Sequence, residues 1–230
     1  MNPPRRPTAV FDLDGTLVRG DSFALFTRRL LFRQRWRAAL ALVAAVVLVP
    51  LMALGPTRRY GLRALLWLAT AGLTEARCTA LAEEFAARRA SQSIPVALDR
   101  LRRHLAAGDR VVVATACADP LASAICARLG LGDVEVVAAQ LRPGRTGLRP
   151  YLGCRGPQKV DRLRAIGVAE PIDHAYTDAA VDLPLLAAAR HRVLVAPSDR
   201  ELDRLRAALP GADLEVLLDA QPSPTTDAPT

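Results

Sequence analysis

The chain has 230 residues, 51% hydrophobic and 23% charged, with a formal net charge of +8, which suits one domain with a large insertion or two small domains around a substantial core. The charge is lopsided: residues 1–110 carry 18 basic and 8 acidic side chains and residues 111–230 carry 13 and 15, so an anionic partner is expected to face the first half. Nucleic acid is not expected as that partner, because the arginines accompany a very apolar segment rather than interleaved aromatic and polar residues.

The four cysteines, Cys78, Cys117, Cys126 and Cys154, have no C-x-x-C spacing and no nearby histidine pair, which argues against a zinc site and for reduced thiols in the cytoplasm. Met1 to Val10 lacks an apolar core of signal-peptide length, so no secretion signal is expected.

Thr8 to Phe11 is short, apolar and partly β-branched, and reads as a buried strand. Asp12 and Asp14 follow, with Gly15 permitting a tight turn. At the carboxyl edge of a parallel sheet such a pair projects into the crevice where α/β folds bind ligands.

Asp21 or Ser22 can cap the next helix, whose Phe23, Phe26 and Leu30 fall at helical spacing among Arg28, Arg29, Arg33, Arg35 and Arg37. Aromatic anchors with a basic face suit a membrane surface. Ala38 to Gly55 then runs without a charge; as a helix it reaches about 27 Å, marginal for a bilayer core, and Pro50 is expected to kink or end it. Ala64 to Leu73 is too short to span, and arginines flank both ends of the first run, placing both on the cytoplasmic side. If Asp12 and Asp14 serve one site with residues beyond 110, the intervening chain crosses a membrane an even number of times, zero being simplest. Residues 22–73 therefore read as a helical hairpin that dips into one leaflet or lies along it. A buried hairpin of a soluble cap, or a dimer interface, is the alternative. Thr74 caps a helix to about Ala90, and Pro95 opens another that stops at Gly108.

Arg110 to Ala116 is a continuous apolar strand containing Thr115; Asp119 and Pro120 suit the N-cap and first position of the next helix. Thr115 beside helix-terminal amides suits a phosphate oxygen. Val134 to Ala139 reads as a strand, and Gln140 to Arg149 as a hairpin over the site. Lys159, the only lysine beside 30 arginines, opens a helix to Ile166; a compact ammonium reaching a phosphoryl oxygen among carboxylates is a requirement arginine does not meet. Ile172 to Asp178 is a strand ending in an acidic loop with Asp182. Carboxylates so close repel unless a cation neutralises them, and oxygen-only ligands favour Mg²⁺. Arg192 to Ala196 is a strand, Asp199 caps a last helix, and Gln221 to Thr230 reads as a frayed tail. His104, His174 and His191 are isolated in sequence and receive no chemistry.

Asp12-x-Asp14-Gly15-Thr16, Thr115, Lys159 and Asp178-x-x-x-Asp182 together resemble, in order and spacing, the four motifs of the haloacid dehalogenase superfamily of phosphatases. The insertion after the first motif is similar to the helical C1-type cap of subfamily IB, which includes phosphoserine phosphatases. More narrowly, Asp21-Ser22-Phe23, the arginine-rich helix, the apolar run, Leu65-Leu66-Trp67, Glu75-Ala76-Arg77 and Leu152-Gly153-Cys154 resemble the bacterial phosphatidylglycerophosphatase C family. Ala179 departs from the serine that many relatives carry after the metal-binding aspartate.

The resemblance implies an α/β fold. A Rossmann-like parallel-sheet core of residues 1–20 and 108–220 carries an all-helical cap of residues 21–107, inserted after the first strand. It implies Asp12 as nucleophile and Asp14 as general acid and base, Thr115 and Lys159 on the phosphoryl oxygens, and Mg²⁺ held by Asp12, Asp14 and Asp178, with Asp182 behind. The expected partners are a phosphomonoester, first of all a lipid such as phosphatidylglycerol phosphate, and an anionic membrane surface, with the protein peripheral or monotopic at the inner face of the cell membrane. A soluble small-metabolite phosphatase of the phosphoserine phosphatase type and a non-catalytic membrane-associated binding protein are the alternatives.

Overall fold

The computed structural model describes residues 6–53, 57–144 and 146–219; the tail expected at 221–230 lies outside them. The strands are β1 (Thr8–Phe11), β2 (Arg110–Ala118), β3 (Glu135–Pro143), β4 (Leu148–Leu152), β5 (Ile172–Thr177), β6 (Ala189–Val195) and β7 (Leu214–Leu217). The helices are α1 (Ser22–Phe32), α2 (Arg35–Ala53), α3 (Arg58–Thr70), α4 (Glu75–Ala90), α5 (Pro95–Ala106), α6 (Leu121–Arg128), α7 (Pro157–Ala165), α8 (Leu183–Ala187) and α9 (Asp199–Ala208). The sheet has the order β4-β3-β2-β1-β5-β6-β7 and is mostly parallel, only β3 and β4 pairing antiparallel among the ladders described.

Two compact units divide the chain: one runs to Arg19, from Gln92 to Ala114 and from Gly156 onward; the other holds Gly20–Ser91 and Thr115–Arg155. In the first, β1 lies between parallel neighbours, Phe11 pairing with Val113 of β2 and Tyr176 of β5. Every residue of β1 is buried, as the continuous apolar run requires of a central parallel strand.

The histidines are not isolated in space. His104 reaches from α5 to β5, its Nδ1 2.7 Å from Asp109 Oδ2 and its Nε2 2.7 Å from the Tyr176 hydroxyl. Tyr176 stacks flat on Phe11, with ring centroids 4.0 Å apart. His174 lies between His104 (4.8 Å) and His191 (4.6 Å), because the β5–β6 register sets His174 opposite His191. Burial, then the neighbouring imidazoles, push the His174 pKa down. A structural role replaces the expected isolation.

In the second unit, α1 starts where Asp21 Oδ1 accepts from Ala24 N at 2.8 Å, and buries Phe26 against Phe85 of α4. Thr74 caps α4 as expected, accepting from Arg77 N. The β3–β4 hairpin is tied to the end of α3: Thr70 Oγ1 accepts from Leu148 N at 2.9 Å, and Trp67 Nε1 donates to Thr146 Oγ1 at 2.7 Å.

Several boundaries differ from expectation. Pro50 does not end α2, which continues to Ala53. Pro120 is the N-cap of α6, so Asp119 lies one residue too early to cap and accepts from the Ser123 N–H and hydroxyl instead. Ser198, not Asp199, caps α9. β6 begins three residues before Arg192, and β7 was not anticipated. Among the described residues no helix is long and apolar enough to cross a membrane.

Replacing His104 by leucine leaves the Tyr176 hydroxyl and Asp109 without their buried partner. Urea unfolding is expected to show a loss of about 2–4 kcal/mol; unchanged stability would remove His104 from the framework of β1 and β5.

Candidate active site

Asp12 is the first residue beyond β1. Its N–H donates to Tyr176 O at 2.9 Å, so β5 fixes where the side chain leaves the sheet. The chain then turns tightly: Gly15 N donates to Val18 O, and the N–H groups of Leu17 and Val18 both reach Leu13 O. Leu13 and Leu17 anchor the turn in the core. Gly15 has φ +82°, and a Cβ there would fall on the Asp178 carboxylate. Glycine thus serves twice, for the left-handed turn and for the approach of Asp178.

Asp178 follows the last residue of β5 and Asp182 closes the short 3-10 turn after it. Lys159 stands in the first turn of α7, 1% exposed. Its Nζ donates to Asp12 Oδ1 at 2.9 Å and to Asp182 Oδ2 at 2.5 Å. The structure therefore brings Asp12, Lys159, Asp178 and Asp182 together within the first unit, from three distant stretches. Asp14 is half-buried on the same turn, bridged to Val18. Thr115 belongs to the second unit, two residues beyond Val113; it is buried and accepts from Cys117 N at 3.0 Å.

Two contributors were missed. Thr177 Oγ1 donates to Asp182 Oδ2 at 3.0 Å, and Glu201 of α9 accepts from Ala180 N at 2.6 Å. A hydroxyl at the carboxyl end of β5 was a legible signal, of the kind used for Thr115. Glu201, three residues after Ser198, reads as half of a capping box, and its reach to another loop has no local signature.

The electrostatics follow from burial. Asp12 is raised from 3.8 to about 6 by desolvation, with Lys159 opposing and Asp182 adding to the rise. Asp178 is raised to about 7 by desolvation and then by Asp12. Burial works against the Lys159 ammonium, but the carboxylates of Asp12 and Asp182 reverse this and hold it charged. Three carboxylates against one ammonium leave an excess of negative charge once all are ionised. Asp182 Oδ1 is also buried with no hydrogen-bond partner among the described residues.

This arrangement has the chemistry of an oxygen-ligand cation site. Asp12 and Asp178 could supply carboxylate oxygens to such an ion. Among the described residues no three His, Cys, Asp or Glu side chains form a ready-made metal cluster.

Residues 9–187 match the haloacid dehalogenase-like hydrolases. The chain is similar to a solved protein of unknown function from Bordetella pertussis Tohama I, with 25% identity and a TM-score of 0.70 over 92% of this chain and 98% of that one. It is also similar to phosphoserine phosphatase in its apo form, with 16% identity and a TM-score of 0.59 over 92% and 94% of the two chains. A phosphoserine phosphohydrolase-like protein from Francisella tularensis subsp. tularensis SCHU S4 aligns with 14% identity and a TM-score of 0.59 over 86% and 92%. These last two likenesses carry the fold. The family supports the expected hydrolase, and the fold the expected α/β core. The match spans most of the chain and contains the turn, the lysine and the acidic loop: the chain belongs to the haloacid dehalogenase-like hydrolase family.

Proposed function

We propose that the chain is a Mg²⁺-dependent phosphomonoester hydrolase acting through an aspartyl-phosphate, with a lipid phosphate such as phosphatidylglycerol phosphate as substrate. The observation that carries the reaction type is the buried Lys159 joined to Asp12 and Asp182, with Asp178 against the Gly15 turn.

In this reading Asp12 attacks phosphorus in line and the bond to the leaving alcohol breaks. Asp14 gives that oxygen its proton, then removes a proton from the water that attacks the aspartyl-phosphate, releasing inorganic phosphate and restoring Asp12. Lys159 neutralises charge on the phosphoryl oxygens. Thr115 is assigned to the same oxygens by its place in the sequence. Asp12, Asp178 and the Asp14 carbonyl would hold Mg²⁺, with Asp182 behind them; when bound, the ion offsets the charge of nucleophile and phosphate. Asp182 and Thr177 keep the ammonium aimed.

The helical unit supports the lipid. On α2, Trp36 (54% exposed), Leu42 (76%), Val43 (71%) and Val46 (78%) face outward, and on α3 Tyr60, Leu62 and Trp67 do the same. Exposed apolar surface on this scale marks a contact with lipid or protein, and its arginine flanks favour an anionic leaflet at the cytoplasmic face. The competing reading, a small water-soluble ester such as phosphoserine, draws support from the phosphoserine phosphatases that share the fold.

Asp12→Asn is expected to lower turnover at least about a thousandfold with the fold intact; near-native turnover would remove Asp12 as nucleophile. Phosphate release from phosphatidylglycerol phosphate in vesicles is expected to exceed release from phosphoserine, and the reverse ranking would establish the soluble reading.

The pH dependence of stability has a definite sign. Asp12 and Asp178 are raised above their ordinary 3.8, so the folded protein keeps protons that the unfolded chain releases. That contribution is complete below about pH 4 and is lost as pH rises through about 6 to 7. Cation-free protein is therefore expected to melt lower at pH 8 than at pH 5. Asp178→Asn should flatten that slope, raise the pH 8 melting temperature and abolish stabilisation by Mg²⁺. A variant still stabilised by Mg²⁺ like the wild type would exclude Asp178 as a ligand.

A further inference from the structure

Arg33, Arg37 and Arg77 converge on a cavity of about 120 Å³ in the second unit, completed by Leu30, Gln34 and Leu73. A single water needs only roughly 10–15 Å³ of such space, so the cavity has room for a tetrahedral oxyanion. No carboxylate lines it, and among the described residues the three arginines have no ion-pair partner. Three like charges around one void are unfavourable unless an anion answers them.

Arg37 is the fixed part of the site. It is 4% exposed; its Nη1 donates to Ala69 O at 2.6 Å and its Nη2 to Ala71 O. Those carbonyls clamp the guanidinium at the end of α3, yet its buried Nε–H has no hydrogen-bond partner among the described residues. A buried donor left unmet is costly, and this one belongs to a side chain that lines the void. Arg33 is the C-cap of α1, and α2 begins two residues later, so the start of that helix adds positive potential. Arg77 comes from the first turns of α4. Three elements thus each send one guanidinium to the same place.

We propose that this cavity is a binding site for a phosphate-type oxyanion, separate from the carboxylate cluster, with which it shares no residue. Arg33 and Arg77 close on the anion from solvent, and Arg37 meets it from beneath through Nε. The ligand is either free phosphate or a phosphate monoester headgroup at a lipid surface. The site does not rest on the hydrolytic reading, because none of its residues takes part in that chemistry.

Equilibrium dialysis of the full chain against labelled inorganic phosphate, without divalent cations, tests it. The negative carboxylate cluster then disfavours phosphate, leaving the arginine cavity as the expected site. The double variant Arg33→Gln/Arg77→Gln changes two exposed side chains and should bind about a hundredfold more weakly, roughly tenfold per charge-assisted contact. Its Mg²⁺-dependent hydrolysis of a small aryl phosphate should be unchanged. Equal affinity in the two proteins, or no phosphate bound by the wild type, overturns the proposal. Normal phosphate binding without any hydrolysis would instead count against the hydrolytic reading alone. Vesicles of phosphatidylcholine with and without phosphatidic acid separate the sources. Binding that needs phosphatidic acid, is lost in the double variant and is displaced by phosphate identifies a headgroup. Vesicle binding insensitive to the variant, with phosphate affinity lost, identifies a soluble anion.

Discussion

A single ammonium, 1% exposed, between two carboxylates is the constraint on which the catalytic unit depends. Burying such a group does not by itself stabilise a protein, since desolvation of the ions offsets much of their attraction. Here the attraction does not even balance, for Asp178 brings a third carboxylate to the same turn and Asp182 keeps one oxygen unmet. The fold holds this unfavourable set in place by rigid means: Asp12 N bonded to β5, Gly15 making way for Asp178, Thr177 on Asp182, and Glu201 on the Ala180 amide. A site held against its own electrostatics is prepared for a ligand that completes it.

What could be read from the sequence follows from how local each determinant is. β1 and the first part of β2 are continuous apolar runs, and parallel strands covered on both faces require nothing else. Thr74 and Asp21 sit next to the helices they cap, so those starts were legible. The carboxylates and the lysine were legible because each occurs where a strand or helix terminus meets a loop. β7 was not, because Leu-Glu-Val-Leu is too short to hold a period and forms through pairing with β6. The start of β6 reads Ala-Arg-His-Arg, polar enough to pass for a loop, yet its register with β5 makes it a strand and stacks His191 on His174. The role of His104 was only half legible, since Asp109 lies five residues along the same turn while Tyr176 reaches it from β5.

The helical unit obeys a different logic. Its buried contacts, Phe26 on Phe85 and Arg89 Nε on Ser22 Oγ at 3.0 Å, lie along α1 and α4. Trp36, Leu40, Leu42, Val43 and Val46 of α2 point outward. Helices that only packed inward would turn such residues the other way. Trp67 is half-exposed and anchored through its indole N–H to Thr146, the amphipathic posture that suits an interface between apolar and aqueous surroundings. Both the exposed stripe and the arginine cavity therefore ask for something outside the chain, one for apolar cover and the other for negative charge.

The choice of basic residue ties these observations together. Thirty arginines serve every other position, including the buried Arg37, where a planar fork matches two carbonyls at once. Lysine occurs once, where the charge must lie between the Asp12 and Asp182 carboxylates in a space closed by core residues. A guanidinium there would spread its charge over three nitrogens and need a flat slot; an ammonium concentrates it at one atom with three rotatable donors. Two of those donors are taken by the carboxylates; in the proposed reaction a phosphoryl oxygen would receive the third. The chain keeps arginine where geometry must be matched and lysine where a point charge must be delivered, and that difference separates the reactive site from the arginine cavity of the helical unit.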